Sequence, residues 1–195
     1  DRNRTMVTGH VDLKFNILPG LTFTTTNGID FNDYKGYSLS SAKLFGKTDM
    51  GNNNTQVMAL QTTNNLTYVG KWGQHNLTAT GVWEATSHET RGMSIDGKNV
   101  AQEFLGYWNV KNAASRDADN SYSKWTMLSG VARVMYNYAD RYMLTGTFRA
   151  DGSSRFTNKK WGYFPSVAAA WTVSNEKFFE PVQDVVNYLK IRVSW

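Results

Sequence analysis

Residues 128–150 read LSGVARVMYNYADRYMLTGTFRA. Leu128, Gly130, Ala132, Val134, Tyr136 and Tyr138 fall on one side of a two-residue alternation, and Ser129, Arg133 and Asn137 fall on the other. After Ala139-Asp140-Arg141 the rhythm resumes. Tyr142, Leu144, Gly146, Phe148 and Ala150 oppose Thr145, Thr147, Arg149 and Asp151. Successive side chains of a strand point to opposite faces, so this period means two strands joined by a short turn. One face is small and apolar with tyrosines at the turn; the other carries hydroxyls, amides and charges.

The same rhythm extends outward along the chain. Val7, Gly9, Val11, Leu13, Phe15 and Ile17 alternate with Thr8, His10, Asp12, Lys14 and Asn16. After Leu18-Pro19-Gly20, Leu21 and Phe23 oppose Thr22, Thr24 and Thr26. Leu77, Ala79, Gly81, Trp83 and Ala85 form another stripe, as do Pro165, Val167, Ala169, Trp171 and Val173, and finally Leu189, Ile191, Val193 and Trp195. The strands read as about 10 to 15 residues each, longer than the usual strand of about 5 to 6. Short connections at Leu18–Gly20, Gly70–His75 and Ala139–Arg141 alternate with long polar ones, Asn32–Asn54 and His88–Tyr122, and an intermediate one, Gly152–Gly162. Short turns at one end and long loops at the other are the habit of an outer-membrane barrel, whose apolar face meets lipid and whose polar face lines a watery lumen. The expected fold is therefore all-β: an antiparallel transmembrane β-barrel segment of about eight long strands, with long extracellular loops and short periplasmic turns. Tyr136, Tyr138 and Tyr142 stand where a periplasmic aromatic girdle belongs. Ser174–Asn187 breaks the rhythm. Phe178, Phe179, Val182, Val185 and Val186 have helical spacing, with Pro181 suited to a first helical turn, so the segment reads as a short helix or a structured turn at the periplasmic end.

Composition narrows the function classes. The chain has 195 residues, 41% hydrophobic and 14% aromatic, which is too much burial potential for disorder. No apolar run approaches the roughly 18 residues of a spanning helix. There is no cysteine, which removes disulfides and thiol chemistry. The net charge of +5 is spread along the chain, without the basic stripe of a nucleic-acid footprint.

Three ordered motifs in the last third carry a resemblance. Arg141–Phe156, RYMLTGTFRADGSSRF, resembles the RYLLTATLRADGSSRF signature of SusC/RagA-type TonB-dependent transporters; Trp161–Trp171 resembles their YGYFPSVSAAW, and Leu189–Trp195 their LKLRASWG. The resemblance implies a barrel of roughly twenty-two strands, with residues 1–195 forming part of it and the plug domain, TonB box and C-terminal strands lying elsewhere. It further implies a Gram-negative cell outer membrane, a SusD-like lipoprotein partner, the TonB complex, and import of glycans or peptides. The signature residues are Arg149, Asp151, Gly152, Arg155, Phe156 and Pro165. Arg149, Asp151 and Arg155 are expected to pair across neighbouring strands at the lumen rim, with Gly152 in a tight turn; a ligand-contacting rim is the alternative.

No other constellation competes. His10, His75 and His88 are far apart, with no HExxH spacing, so no metal, cofactor or enzymatic reaction is expected. Asp117-Ala118-Asp119-Asn120 lacks the glycine and glutamate of a calcium loop and reads as a solvated loop. The asparagine sequon at Asn65-Leu66-Thr67 falls inside an expected strand. Phe104, Tyr107, Trp108, Tyr122 and Trp161 fall in or beside the long loops, where aromatics stack on sugars, pack a partner, or form a loop's own small core. The other function classes are a non-transporting receptor or adhesin barrel and a soluble carbohydrate-binding sheet.

Overall fold

In a computed structural model that describes residues 1–101 and 103–195, the described residues form one antiparallel sheet of eight strands in sequence order, β1 to β8. The strands are β1 Arg2–Leu18, β2 Leu21–Ser40, β3 Asp49–Trp72, β4 His75–Val100, β5 Ala113–Tyr138, β6 Tyr142–Ser153, β7 Trp161–Thr172 and β8 Lys190–Ser194. A four-residue helix α1, Ala42–Phe45, lies between β2 and β3. Each strand pairs with its sequence neighbour, the connectivity of an up-and-down barrel wall.

The alternating stretches became strands as expected, but several strands run much further. β4 and β5 have 26 residues each and β3 has 24. Most of Asn32–Asn54 and His88–Tyr122 is strand, and the connections shrink to residues 41–48 and 101–112. Asp117–Asn120 and Tyr122 accordingly lie within β5 rather than in a loop. The Asn-, Asp- and Ser-rich composition that suggests a loop is compatible with a strand wet on both faces, where pairing with neighbours supplies the order. Ser174–Asn187 takes the structured-turn form of the two expected for it. It forms 3₁₀ turns at Val173–Asn175 and Lys177–Val182, with Pro181 late in the second rather than in a first helical turn.

The short turns have distinct chemistries. Gly20 and Gly73 take positive φ, 81° and 57°, at two-residue turns. The β5–β6 turn instead puts Ala139 and Asp140 at φ 54° and 53°. Tyr138 O accepts from Arg141 N at 3.0 Å, closing a turn of the mirror-image type that follows the sheet's twist. Ala139 N donates to Gln74 O and Asn175 Nδ2 donates to Asp140 O, both at 2.9 Å or less, so neighbouring connections hold the turn.

Cα packing divides the chain into two compact units. The first comprises residues 1–10, 28–60 and 87–125. Its small core is Met50, Val100 and Ala113, against which Tyr107 and Val110 pack. The second comprises residues 11–27, 61–86 and 126–195. There, burial runs opposite to a soluble domain: Ser129 is 3% exposed and Thr172 2%, whereas Phe15, Val134, Leu144 and Val167 are all about half exposed, between 49% and 53%. Exposed contiguous apolar surface of this kind marks a lipid or partner contact.

Candidate functional site

The register turns the alternation into rows that cross the sheet. Tyr138 pairs Tyr142, Tyr142 pairs Trp171, and Trp171 pairs Ile191. The next row outward is Tyr136, Leu144, Ala169 and Val193, followed by Val134, Gly146 and Val167. All belong to the apolar face. The aromatic row is continuous at the short turns. Ring centroids lie 6.5 Å apart for both Tyr138–Tyr142 and Tyr142–Trp171, and His75 sits 4.9 Å from Tyr138. His75 Nδ1 and the Tyr136 hydroxyl are 2.6 Å apart. Rings with one polar edge, gathered in one belt, suit a membrane–water boundary.

The opposite face is a lattice of polar cross-strand pairs. Thr26 Oγ1 donates to Asp12 at 2.5 Å and Thr8 Oγ1 to Asp30 at 3.2 Å. Gln61 Nε2 donates to Glu84 at 2.7 Å, and Arg133 Nε to Thr147 at 3.2 Å. Arg133 and Thr147 are register partners one position from the Val134–Gly146 pair of the apolar face. Below the belt, Glu176 accepts from Arg141 and from the Trp171 indole N–H, each at 3.1 Å. Hydrogen bonding from the Tyr142 hydroxyl first, then Trp171 and Arg141, holds the Glu176 carboxyl below the usual glutamate range.

The signature residues occupy β6, the following turn and β7. Arg149 Nε donates to Asp151 Oδ2 at 2.7 Å. The two are neighbours on the polar face of one strand rather than on adjacent strands, because residues two apart share a face. The pair is partly exposed, so solvent screens it and its contribution to stability is small. Ser129 stands directly opposite Asp151 in the register. Gly152 is not in a turn. It lies in β6 opposite Trp161, whose indole atoms would approach an added Cβ to 3.0 Å. Glycine is there because a ring covers it. Arg155 and Phe156 follow in the turn, Phe156 being 62% exposed. Pro165 pairs Phe148 on β6. Val167 exchanges both backbone hydrogen bonds with Trp195, and residues two apart point the same way, so Pro165 turns its missing N–H toward β8, beyond the paired residues.

The loop aromatics separate into two groups. Tyr107 stacks on Tyr37 with centroids 5.0 Å apart, and Trp108 leans on Tyr37 at 5.1 Å. Tyr107 also donates its hydroxyl to Asp1 at 2.8 Å. Phe104 and Trp108 remain 83% and 72% exposed. Tyr122 and Trp161, by contrast, fall on the register parity of Leu128, the apolar face, and are not brought to the Tyr107–Trp108 cluster. Tyr37 is the member that sequence reading missed. Its position inside a polar stretch gives no signal until β2 is seen to run to Ser40. Among the described residues, no group of three or more His, Asp or Glu side chains is placed to hold a metal ion.

A sheet whose wall is apolar outside and hydrogen-bonded inside, with aromatic rings at the turns, is a segment of transmembrane β-barrel. Comparison with known proteins specifies the type. The chain is 30% identical over 189 residues to TonB-dependent receptor P3 of Formosa agariphila, covering 93% of this chain and 19% of that protein. It is likewise 30% identical over 189 residues to TonB-dependent receptor SusC of Bacteroides thetaiotaomicron, covering 95% of this chain and 18% of the relative. The RagAB peptide importer in its closed-closed state superposes with a TM-score of 0.79 over 99% of this chain and 22% of that one, at 17% identity, a likeness of fold. The ferric citrate transporter FecA superposes less closely, at a TM-score of 0.52 and 8% identity. No family model matches. The chain is of the SusC/RagA type among TonB-dependent receptors, proteins of the Gram-negative outer membrane, and it spans about a fifth of the length of these relatives.

Proposed function

We propose that residues 1–195 are part of the barrel wall of an outer-membrane, TonB-dependent active importer of glycans or peptides, working with a SusD-like surface lipoprotein. The plug domain and the TonB box belong to other parts of the parent chain in this reading. The observation that supports it most is the inverted sheet: a polar, hydrogen-bonded face opposite an apolar one suits the lining of a watery lumen. In this role the wall does no chemistry. Its apolar rows fix the barrel in lipid, and its polar lattice offers hydrogen-bonding groups to a passing hydrophilic cargo.

The test uses the native bacterium. Deleting the gene, and separately deleting only the parent's TonB box, should each abolish growth on the same glycan or peptide source, with uptake of labelled nutrient lost in both strains. Growth unaffected by removal of the TonB box, with surface binding lost on gene deletion, would instead establish a non-transporting receptor or adhesin.

A further inference from the structure

Two cavities open on the polar face of the first unit and share one residue. The larger, about 350 Å³, is lined by Arg2, Arg4, Tyr34, Lys35, Gly36 and Asn53. The smaller, about 140 Å³, runs from the same Asn53 along Thr55, Ser94, Asp119 and Ser121. Gly36 and Gly92 keep the floor low. A Cβ on Gly36 would collide with the Asn53 side chain, and one on Gly92 with the Ser121 hydroxyl. The two openings thus form one trough across β1 to β5. The larger part alone is within the size of small-ligand sites, about 300–1,000 Å³.

The charge in this trough is lopsided. Lys35 is neutralised by Asp33 at 3.3 Å. Among the described residues, no carboxylate forms an ion pair with Arg2 or Arg4. Arg4 is nevertheless fixed in place. Its guanidinium donates to Asn32 Oδ1 at 2.8 Å and lies 5.0 Å from the centre of the Tyr34 ring. A guanidinium held by neutral partners keeps its charge and its remaining donors for an anion, and little ordering cost remains when one binds. The Arg fork matches a carboxylate or sulfate group. Beside the arginines, the lining carries the amides of Asn3, Asn53 and Asn120 and the hydroxyls of Thr55, Ser94 and Ser121, which pair with sugar hydroxyls, and the Tyr34 ring and Met93, which pack against the apolar face of a sugar.

We propose that the trough binds an acidic oligosaccharide, with Arg2 and Arg4 taking a carboxylate or sulfate and the Asn53-to-Ser121 run taking hydroxyl groups. This deepens the importer reading and rests on it. Full-length receptor in detergent is titrated calorimetrically with chondroitin sulfate and galacturonan tetrasaccharides, and with their neutral counterparts, the first both desulfated and carboxyl-reduced and the second carboxyl-reduced. An acidic probe should bind about ten- to a hundredfold more tightly than its neutral counterpart. The Arg2→Gln/Arg4→Gln pair should erase that preference, so that acidic and neutral probes bind the variant equally. Arg2→Gln alone, at a residue with no packing role, should weaken it if the double variant does not fold. Equal affinity for acidic and neutral probes, no binding of any probe, or a preference that survives both substitutions overturns the proposal. TonB-dependent uptake in cells, measured separately, stays intact in that case unless the importer reading also fails.

Discussion

At the scale of single residues, the informative positions are those where a small change meets a fixed neighbour. Gly152 is covered by the Trp161 indole, with no room for a Cβ without a shift of the ring. Gly152→Val should destabilise the folded receptor by about 1–3 kcal/mol, the usual range for overpacking, read as a lowered midpoint of thermal unfolding on heat-modified gels. Gly152→Val should be milder when combined with Trp161→Ala. Glu176 gives a pH prediction. Its carboxyl is held low by Tyr142, Trp171 and Arg141. A depressed carboxyl contributes stability that is full above the ordinary glutamate range and is lost as pH falls through the depressed value. The wild type should therefore be more stable than Glu176→Gln at neutral pH, and the gap should close on acidification. A gap independent of pH in thermal melts would mean that the hydrogen bonds to Glu176 do not depend on its charge.

Elements show how far the sequence could be read and where it could not. Strands β1, β5, β6 and β7 were legible because one face meets an apolar medium along much of their length, which forces period two upon Val7–Ile17 and Leu128–Ala150. The outer reaches of β2, β4 and β5 were not legible. Tyr37, Ser94 and Tyr122 sit among Asn, Asp and Gly because neither face need be apolar there, and periodicity vanishes while pairing persists. The same limit hid the trough, since Arg2, Asn53 and Asp119 come together only through register across β1 to β5. Turn chemistry was partly legible. Pro19-Gly20 announces a turn, whereas Ala139-Asp140 takes the left-handed region without glycine. The left-handed conformation costs a residue with a Cβ about 1–2 kcal/mol. Ala139→Gly should consequently stabilise the receptor by about 0.5–1 kcal/mol after the added freedom of the unfolded chain is subtracted. A destabilised variant in equilibrium unfolding would show that the Ala139 side chain makes contacts that outweigh its strain.

On the scale of the whole molecule, the apolar rows meet lipid and the polar lattice meets water. Arginine placed at Ala132 or Gly146 should cost about 2–4 kcal/mol near the bilayer midplane, while arginine at Thr145 or Thr147 should be tolerated. Equal yields of folded receptor from all four variants would contradict the assignment. Because the 195 residues contain no cysteine, single cysteines can be introduced into this stretch for a more direct measurement. Nitroxides attached in turn at Arg133, Val134, Thr145 and Gly146 of the full-length receptor, reconstituted in lipid vesicles, report accessibility to oxygen and to a water-soluble nickel chelate by electron paramagnetic resonance. Labels at positions 134 and 146 should collide with oxygen and be shielded from nickel, and labels at 133 and 145 should show the reverse. Nickel access at all four positions, or the opposite pattern, would show that the apolar rows do not face lipid.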